Sequence, residues 1–589
     1  MLGLTDDGRY VLLGLALVLI VGGGAVAWWG HTAGGTVEVR DVQFEGTNGT
    51  TMAGHLYVPE GVSTEDPAPG ILAVHGYVNT KETNAPFAIE YARRGYVVLA
   101  IDQTGHGFSE PPAFANGFGG PDGLAHLRSL DIVDETAIGM EGHSMGGWAI
   151  TAAAATFPEG YNATVYAGSG PGPIAGFSAI PNGTAEFPRN MGLVFSEYDE
   201  FHWLMWPPAA SAFDAPATEK MRSQFDTGQA VEAGRTYGDV SAGTGRRLYT
   251  PATTHPGDHL STAAVADAVD WMQRTVPAPN ERSPGNQVWF LKELGTLLAT
   301  IGGVLFLFPA GALLLGTDAL ADVRGTPGEA AAERSRGWHA VAALSALVPV
   351  LTYYPAVVLG DNALPATGLF PQTVTNGVAL WALVNAAFVA VTVGVWHYRS
   401  DRSGLARYGL GWPDRAALGK SLGVGVALAG ALYGLMLGLD AAFTVHFRFW
   451  VFALKPMAAW HVPAFLAYLP VFFVFFVALG VLLHGRLRTP ETTASLRRAL
   501  ATDWLVVVGG FLLLLVLNYV PLFLSGALPV PALALYTILA IQFVGALTIA
   551  ALVSTYCFHL TGRVWMGAAL NAVLVTWLVV ASTATHVAV

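Results

Sequence analysis

Two patterns of apolar positions divide the chain. As far as about Thr275 the apolar runs are short and interrupted by turns and charges. Beyond Val288 they lengthen to ~20 residues, the length that spans a bilayer as a helix. Nine runs are predicted as spanning helices: 10–30 ahead of the mixed region, then 293–316, 338–360, 374–396, 418–439, 462–484, 504–525, 530–558 and 564–585. The stretch 443–460 is rich in aromatics but holds His446, Arg448 and Lys455, so an interfacial or re-entrant segment is expected there.

The mixed region reads differently. Alternating or continuously apolar runs predict strands at 36–44, 52–58, 70–75, 96–101, 136–141, 163–167, 191–195 and 247–250. Helices are predicted at 82–94, 120–130, 148–157 and 261–275, the last with Ser261 as its N-cap. Strands alternating with helices imply an α/β fold with a mostly parallel sheet and right-handed crossovers. The expected organisation is an anchor or uncleaved signal over 1–35, an α/β domain over 36–280, and an all-α polytopic domain of about eight helices over 288–589. Ala25-Val26-Ala27 offers a cleavage site, but Asp6 and Asp7 make a poor signal n-region, which favours a retained anchor.

Composition sharpens this picture. The chain of 589 residues is 53% hydrophobic and only 12% charged, about half the usual charged share. A net charge of −12 leaves no basic footprint for nucleic acid. The single cysteine, Cys557, excludes an intrachain disulfide and argues against a Cys/His zinc site. Loop charges alternate. Arg324, Arg334 and Arg336 follow the second run. Later basic loops carry Arg399, Arg402, Arg407 and Arg415, then Arg486, Arg488, Arg497 and Arg498, and finally Arg563. The loops between hold only Arg448 and Lys455, or no basic residue. The positive-inside rule then sets the N-terminus in the cytoplasm and the α/β domain outside, in a multi-pass cell-membrane protein.

Candidate chemistry centres on Gly142-His143-Ser144-Met145-Gly146, between a predicted strand and a predicted helix. A serine at the tip of a sharp strand-to-helix turn is a nucleophile elbow, where only glycine fits beside it. Two further signals precede it: His75-Gly76, and Asp102-Gln-Thr-Gly105-His-Gly107-Phe-Ser109. On these three motifs, residues from about 36 to 275 resemble the α/β-hydrolase superfamily, nearest its dienelactone-hydrolase-like and acyl-peptidase-like esterase branches. The resemblance implies a nucleophile, acid and base in that chain order. Ser144 is the implied nucleophile. The implied acid is Asp199, with Glu197 and Glu200 as alternatives in the same loop. The implied base is His255, with His259 as the alternative. The backbone N–H groups of Tyr77 and Met145 are the implied oxyanion donors. His106 and His143 read as packing residues. The apolar stretch 201–208 is expected to form an acyl pocket, a cap, a membrane contact or a buried helix.

In the membrane half, Asn385, Asp440, Asn518, Gln542 and Asn571 are the main polar interruptions, with interhelical hydrogen bonding the expected role. Gly419, Gly423, Gly425, Gly430 and Gly434 suggest close helix packing. A His-Glu-x-x-His helix and paired intramembrane glutamates are absent from the sequence, and Phe523-Leu-Ser-Gly526 lacks the first glycine of a rhomboid-like motif. This half reads as an anchor, scaffold or lipid-access platform. The expected function is a membrane-anchored serine hydrolase acting on carboxyl esters or thioesters, lipidic ones included, with a small-molecule or lipid acyl substrate, no cofactor and no metal. A peptidase of the same fold is one alternative. A transporter or receptor with a ligand-binding hydrolase-like domain is the other.

Overall fold

Uninterrupted apolar runs such as Gly70-Ile-Leu-Ala-Val74 and Val97-Val-Leu-Ala-Ile101 are suited to strands covered on both faces, and they form the centre of a nine-stranded sheet. The computed structural model describes residues 5–173, 180–328, 330, 334–399, 404–411 and 415–588; Arg402, in one of the predicted basic loops, lies outside them. The strands are β1 Val37–Glu45, β2 Thr51–Pro59, β3 Ala68–Val74, β4 Val97–Ile101, β5 Val133–His143, β6 Ala163–Ala167, β7 Met191–Val194, β8 Thr236–Tyr237 and β9 Arg246–Tyr249. Their order is β1-β2-β4-β3-β5-β6-β7-β9-β8. From β4 to β9 neighbouring strands are parallel, while β1, β2 and β8 pair antiparallel at the two sides.

Helices cover both faces. Gly120–Arg128 and Met145–Thr156 supply Leu124, Leu127, Ala149, Ile150 and Ala153 to one core, with Leu72, Leu99 and Met140 from the sheet. Ala85–Ala92 and Thr262–Thr275 supply Phe87, Tyr91, Val265, Val269 and Trp271 to the other. Ser261 caps the latter helix as expected, its side chain accepting the Ala264 N–H at 3.1 Å. This is the α/β-hydrolase fold. The predicted helix over 82–94 is shorter than expected: a 3-10 turn over Lys81–Asn84 precedes it, and Pro86 sits in the first helical turn.

The chain forms two compact units, and neither is contiguous. One comprises Ala25–Gly295, Leu517–Leu535 and Ser582–Val589; the other comprises Met1–Gly24, Thr296–Val516 and Tyr536–Ala581. The sheet lies wholly in the first. Among the described residues, nine helices are long and apolar enough to cross a membrane, which is compatible with a multi-pass membrane protein.

In the helical unit, Asn385 donates to Thr352 Oγ1 at 3.1 Å and Asn571 donates to the Ala550 carbonyl at 2.9 Å, as expected of interhelical bonds. Close packing is seen at Gly425, where a Cβ would stand 2.6 Å from the Met566 carbonyl oxygen, whereas among the described residues nothing lies within 4 Å of a Cβ on Gly419, Gly423, Gly430 or Gly434. Within 443–460 lies a short antiparallel hairpin, Phe447–Phe449 with Phe452–Leu454. Two strands of three residues are too short for the period of a strand to register in the sequence.

Candidate active site

The elbow is built by close approach. Ser144 directly follows β5 at φ 54°, ψ −122°, outside the usual regions for a residue with a side chain, and Met145 starts the helix that follows. A Cβ on Gly146 would overlap the Val74 carbonyl oxygen, so the turn admits no side chain there. The Met145 N–H lies in the first helical turn, where backbone donors have no intrahelical acceptor. The loop after β3 comes close on the other side: a Cβ on Gly76 would stand 3.0 Å from Ser144 Cβ. That loop is fixed by His75, whose Nδ1–H donates to the Gly76 carbonyl at 2.6 Å while Nε2 accepts the Gln103 N–H at 3.0 Å. Tyr77 follows Gly76 directly in this loop, and Met145 follows Ser144 directly in the elbow.

The loops after β7 and β9 are zipped together. Glu197 and Tyr198 donate their N–H groups to the Pro251 and Thr253 carbonyls, both at 3.0 Å. This pairing sets Asp199 against His255. His255 Nδ1 and Asp199 Oδ2 are 2.9 Å apart, with Asp199 fully buried and His255 nearly so. Asp199 Oδ1 accepts the Phe201 N–H at 2.7 Å, which holds the carboxylate in place. Ser144 is tied to the same corner, since its N–H donates to Ala167 at 2.9 Å and its carbonyl accepts Ser169 Oγ at 2.6 Å. Between those residues lies Gly168, at φ 55°. A Cβ there would stand 2.8 Å from His255 Nδ1 and 3.2 Å from Asp199 Oδ2, so glycine leaves the room the pair occupies.

The alternatives occupy other places. Glu200, fully buried, accepts the His255 N–H on Oε2 at 2.8 Å, so it holds the histidine's backbone while Asp199 holds its ring. His259 packs at a tilt against His143 with ring centroids 4.1 Å apart and meets Phe87 edge-on at 5.9 Å. His143, expected to be a packing residue, also donates Nε2–H to the His255 carbonyl at 3.0 Å. His255 is therefore clamped at its N–H, its carbonyl and its ring. His106 is buried between His75 and Tyr77. Burial and the His75 ring hold its pKa well below the ordinary value, so it stays neutral. The stretch 201–208 is a short helix, His202–Met205, with Trp206 buried in the core. Phe201 lies on the His255 ring at 4.6 Å.

Several residues here carried no sequence signal. Asp258 is buried, accepts Ser196 Oγ and stands 3.6 Å from His143 Nε2. Tyr77 Oη meets His586 Nε2 at 3.2 Å across 509 positions of sequence. Thr585 bridges two turns, accepting the Ala113 N–H at 2.7 Å and donating to Gly105 at 2.8 Å. A lone histidine or threonine at the far end of an apolar run gives no periodicity or motif by which to find it.

A family model described as "Serine aminopeptidase, S33" matches residues 65–191. That span includes the His75-Gly76 loop, the Asp102 turn and the elbow, and it ends before Asp199. Solved structures similar to this chain include a dienelactone hydrolase from Anabaena variabilis, 19% identical, covering 41% of this chain and 99% of that one with a TM-score of 0.27. A dienelactone hydrolase-like promiscuous phosphotriesterase from metagenomic libraries is 16% identical, covering 41% and 98% with a TM-score of 0.29. A thioesterase domain from the curacin biosynthetic pathway is 14% identical, covering 39% and 98% with a TM-score of 0.27. No curated protein matches the chain.

Proposed function

We propose that this α/β-hydrolase is a membrane-anchored serine hydrolase that cleaves carboxyl esters or thioesters, lipidic acyl groups among them. Ser144 Oγ attacks the acyl carbonyl. His255 Nε2 takes the proton and returns it to the leaving group, while Asp199 fixes the tautomer and stabilises the imidazolium. The N–H groups of Tyr77 and Met145 receive the oxyanion. Water then attacks the acyl-enzyme by the same route in reverse. The observation that carries this reading is the 2.9 Å Asp199–His255 contact at strand ends beside the elbow. The loop charges support an extracytoplasmic site with a cytoplasmic N-terminus.

What supports a lipidic substrate is the presence in this chain, among the described residues, of nine helices long and apolar enough to cross a membrane. The check is turnover of lipid esters in vesicles against soluble short-chain esters. Comparable or higher kcat/KM on the vesicle substrate is expected, and a large preference for the soluble esters would count against a lipidic role. The matched family description favours a second reading, a peptidase on short peptides. Aminoacyl amides in the same panel separate the two: a peptidase turns them over, whereas esters are expected to be cleaved here with no measurable release from the amides.

Burial opposes a charge on His255, but the Asp199 carboxylate beside it, reinforced by Glu200 and Asp258, outweighs burial and holds its pKa above that of an ordinary histidine. The base works only when neutral. Activity is therefore expected to be full at high pH and to fall as pH drops through an acid limb in kcat/KM that lies above the ordinary histidine range. A limb well below that range would mean that Asp199 does not face the working base.

A further inference from the structure

We infer that Tyr519 is a positioning residue for the base His255, acting through Glu200; this rests on the reading of Ser144, Asp199 and His255 as the triad. Tyr519 donates its hydroxyl to Glu200 Oε1 at 2.9 Å, across 319 positions of sequence. The other oxygen of the same carboxylate accepts the His255 N–H at 2.8 Å. A fully buried carboxylate is costly to ionise unless its oxygens are satisfied, and here one oxygen is held by the base's backbone and the other by Tyr519.

The surrounding packing brings Tyr519 to this point. The segment Leu517–Leu535 belongs to the same compact unit as the sheet. Its Leu522, Leu528 and Ala534 form a buried cluster against which Tyr198, Phe201 and Tyr519 pack. Phe523 meets Tyr198 edge-on at 5.3 Å, and the Ala212 N–H donates to the Gly526 carbonyl at 2.8 Å. Tyr198 and Phe201 flank Asp199 and Glu200 in sequence, and Phe201 lies on the His255 ring. An apolar wall would need only phenylalanine at 519. The hydroxyl aimed at Glu200 adds direction: it fixes the carboxylate that fixes the base. The residue sits near the end of helix Leu496–Ser525, one of those long enough to cross a membrane. The geometry of the base is thus set by a segment outside the region the elbow motifs identify.

Removing the hydroxyl has two consequences. Glu200 loses one anchor, so the His255 backbone and its Nδ1 contact with Asp199 loosen. The ionised form of Glu200 also loses a donor. Burial and the Asp199 charge already raise its pKa to about 7, so it becomes neutral more readily and its charge no longer supports protonation of His255. Asp199, His255 and Tyr519 act on Glu200, and Asp258 adds its charge near His255.

The experiment uses the full chain in detergent, with a p-nitrophenyl ester for kcat and KM and a fluorophosphonate for the labelling rate. Tyr519→Phe is expected to lower kcat about tenfold with KM changed by less than about twofold, the size set by one buried hydrogen bond to a charged group. Its acid limb is expected to move to lower pH. Glu200→Gln should move the limb the same way, and the double variant should be no worse than Glu200→Gln alone. A Tyr519→Phe protein with wild-type kcat and an unmoved limb overturns the inference, as does a double variant that loses the product of the two single effects. Should Tyr519→Phe fail to fold, an unmoved limb in Glu200→Gln overturns it equally. Rapid labelling of wild type and of Tyr519→Phe at one rate defeats only the positioning role. A folded wild type that is not labelled defeats the triad reading, and this inference with it.

Discussion

Ser144→Ala is expected to lower ester turnover by about 10⁴–10⁶-fold and to abolish fluorophosphonate labelling, the scale on which removing a triad nucleophile acts. The substitution deletes only the Oγ. Alanine suffers the same positive φ that Ser144 already adopts at 54°, so the turn is not asked for a conformation it lacks. The backbone links from Ser144 to Ala167 and Ser169 are unaffected, since neither uses the hydroxyl. Folding should therefore survive, and a melting curve within a few degrees of wild type separates lost chemistry from lost structure. The small residual rate would come from binding and from the proposed oxyanion amides of Tyr77 and Met145. Labelling retained in Ser144→Ala at more than about a tenth of the wild-type rate would place the nucleophile elsewhere and end the elbow reading.

The fold was legible because its physics leaves local traces. Strands buried on both faces show as continuous apolar runs, and β3, β4 and β6 lie within two residues of where those runs predict them. The elbow was legible because Gly146 cannot carry a side chain against Val74. The sequence alone left Glu197 and Glu200 open beside Asp199, and His259 open beside His255. The contact between Asp199 and His255 comes from the pairing of the two loops, a long-range event with no local signature. Strand β8, only Thr236–Tyr237, was invisible for the same reason as the hairpin at 447–454: two or three residues do not make a period. Tyr519 and His586 were hidden more deeply, one inside and the other just past a run whose apolar composition speaks only of bilayer crossing. The expected division at about 280–288 is a division of composition, whereas the compact unit holding the sheet also takes in Leu517–Leu535 and Ser582–Val589.

A paired substitution separates the two candidate bases. His255→Ala is expected to lower kcat/KM by about 10⁴-fold or more, and His259→Ala by less than about tenfold. The difference rests on what each ring faces. His255 presents Nδ1 to a buried carboxylate at 2.9 Å, and that partner lets an imidazole accept a proton in a dry site without stranding a charge. The His259 ring packs on His143 and Phe87. Loss of that ring is felt through His143, which donates to the His255 carbonyl at 3.0 Å, so a modest loss of positioning is expected. Asp199→Asn completes the set. It keeps the shape but presents an amide to Nδ1, favouring the wrong tautomer, and should cost about 10⁴-fold in kcat. If His259→Ala proved the more damaging of the two histidine changes, with both proteins folded, the base would be His259. The Asp199–His255 pair would then be structural, because a working base cannot be dispensable while its neighbour is not.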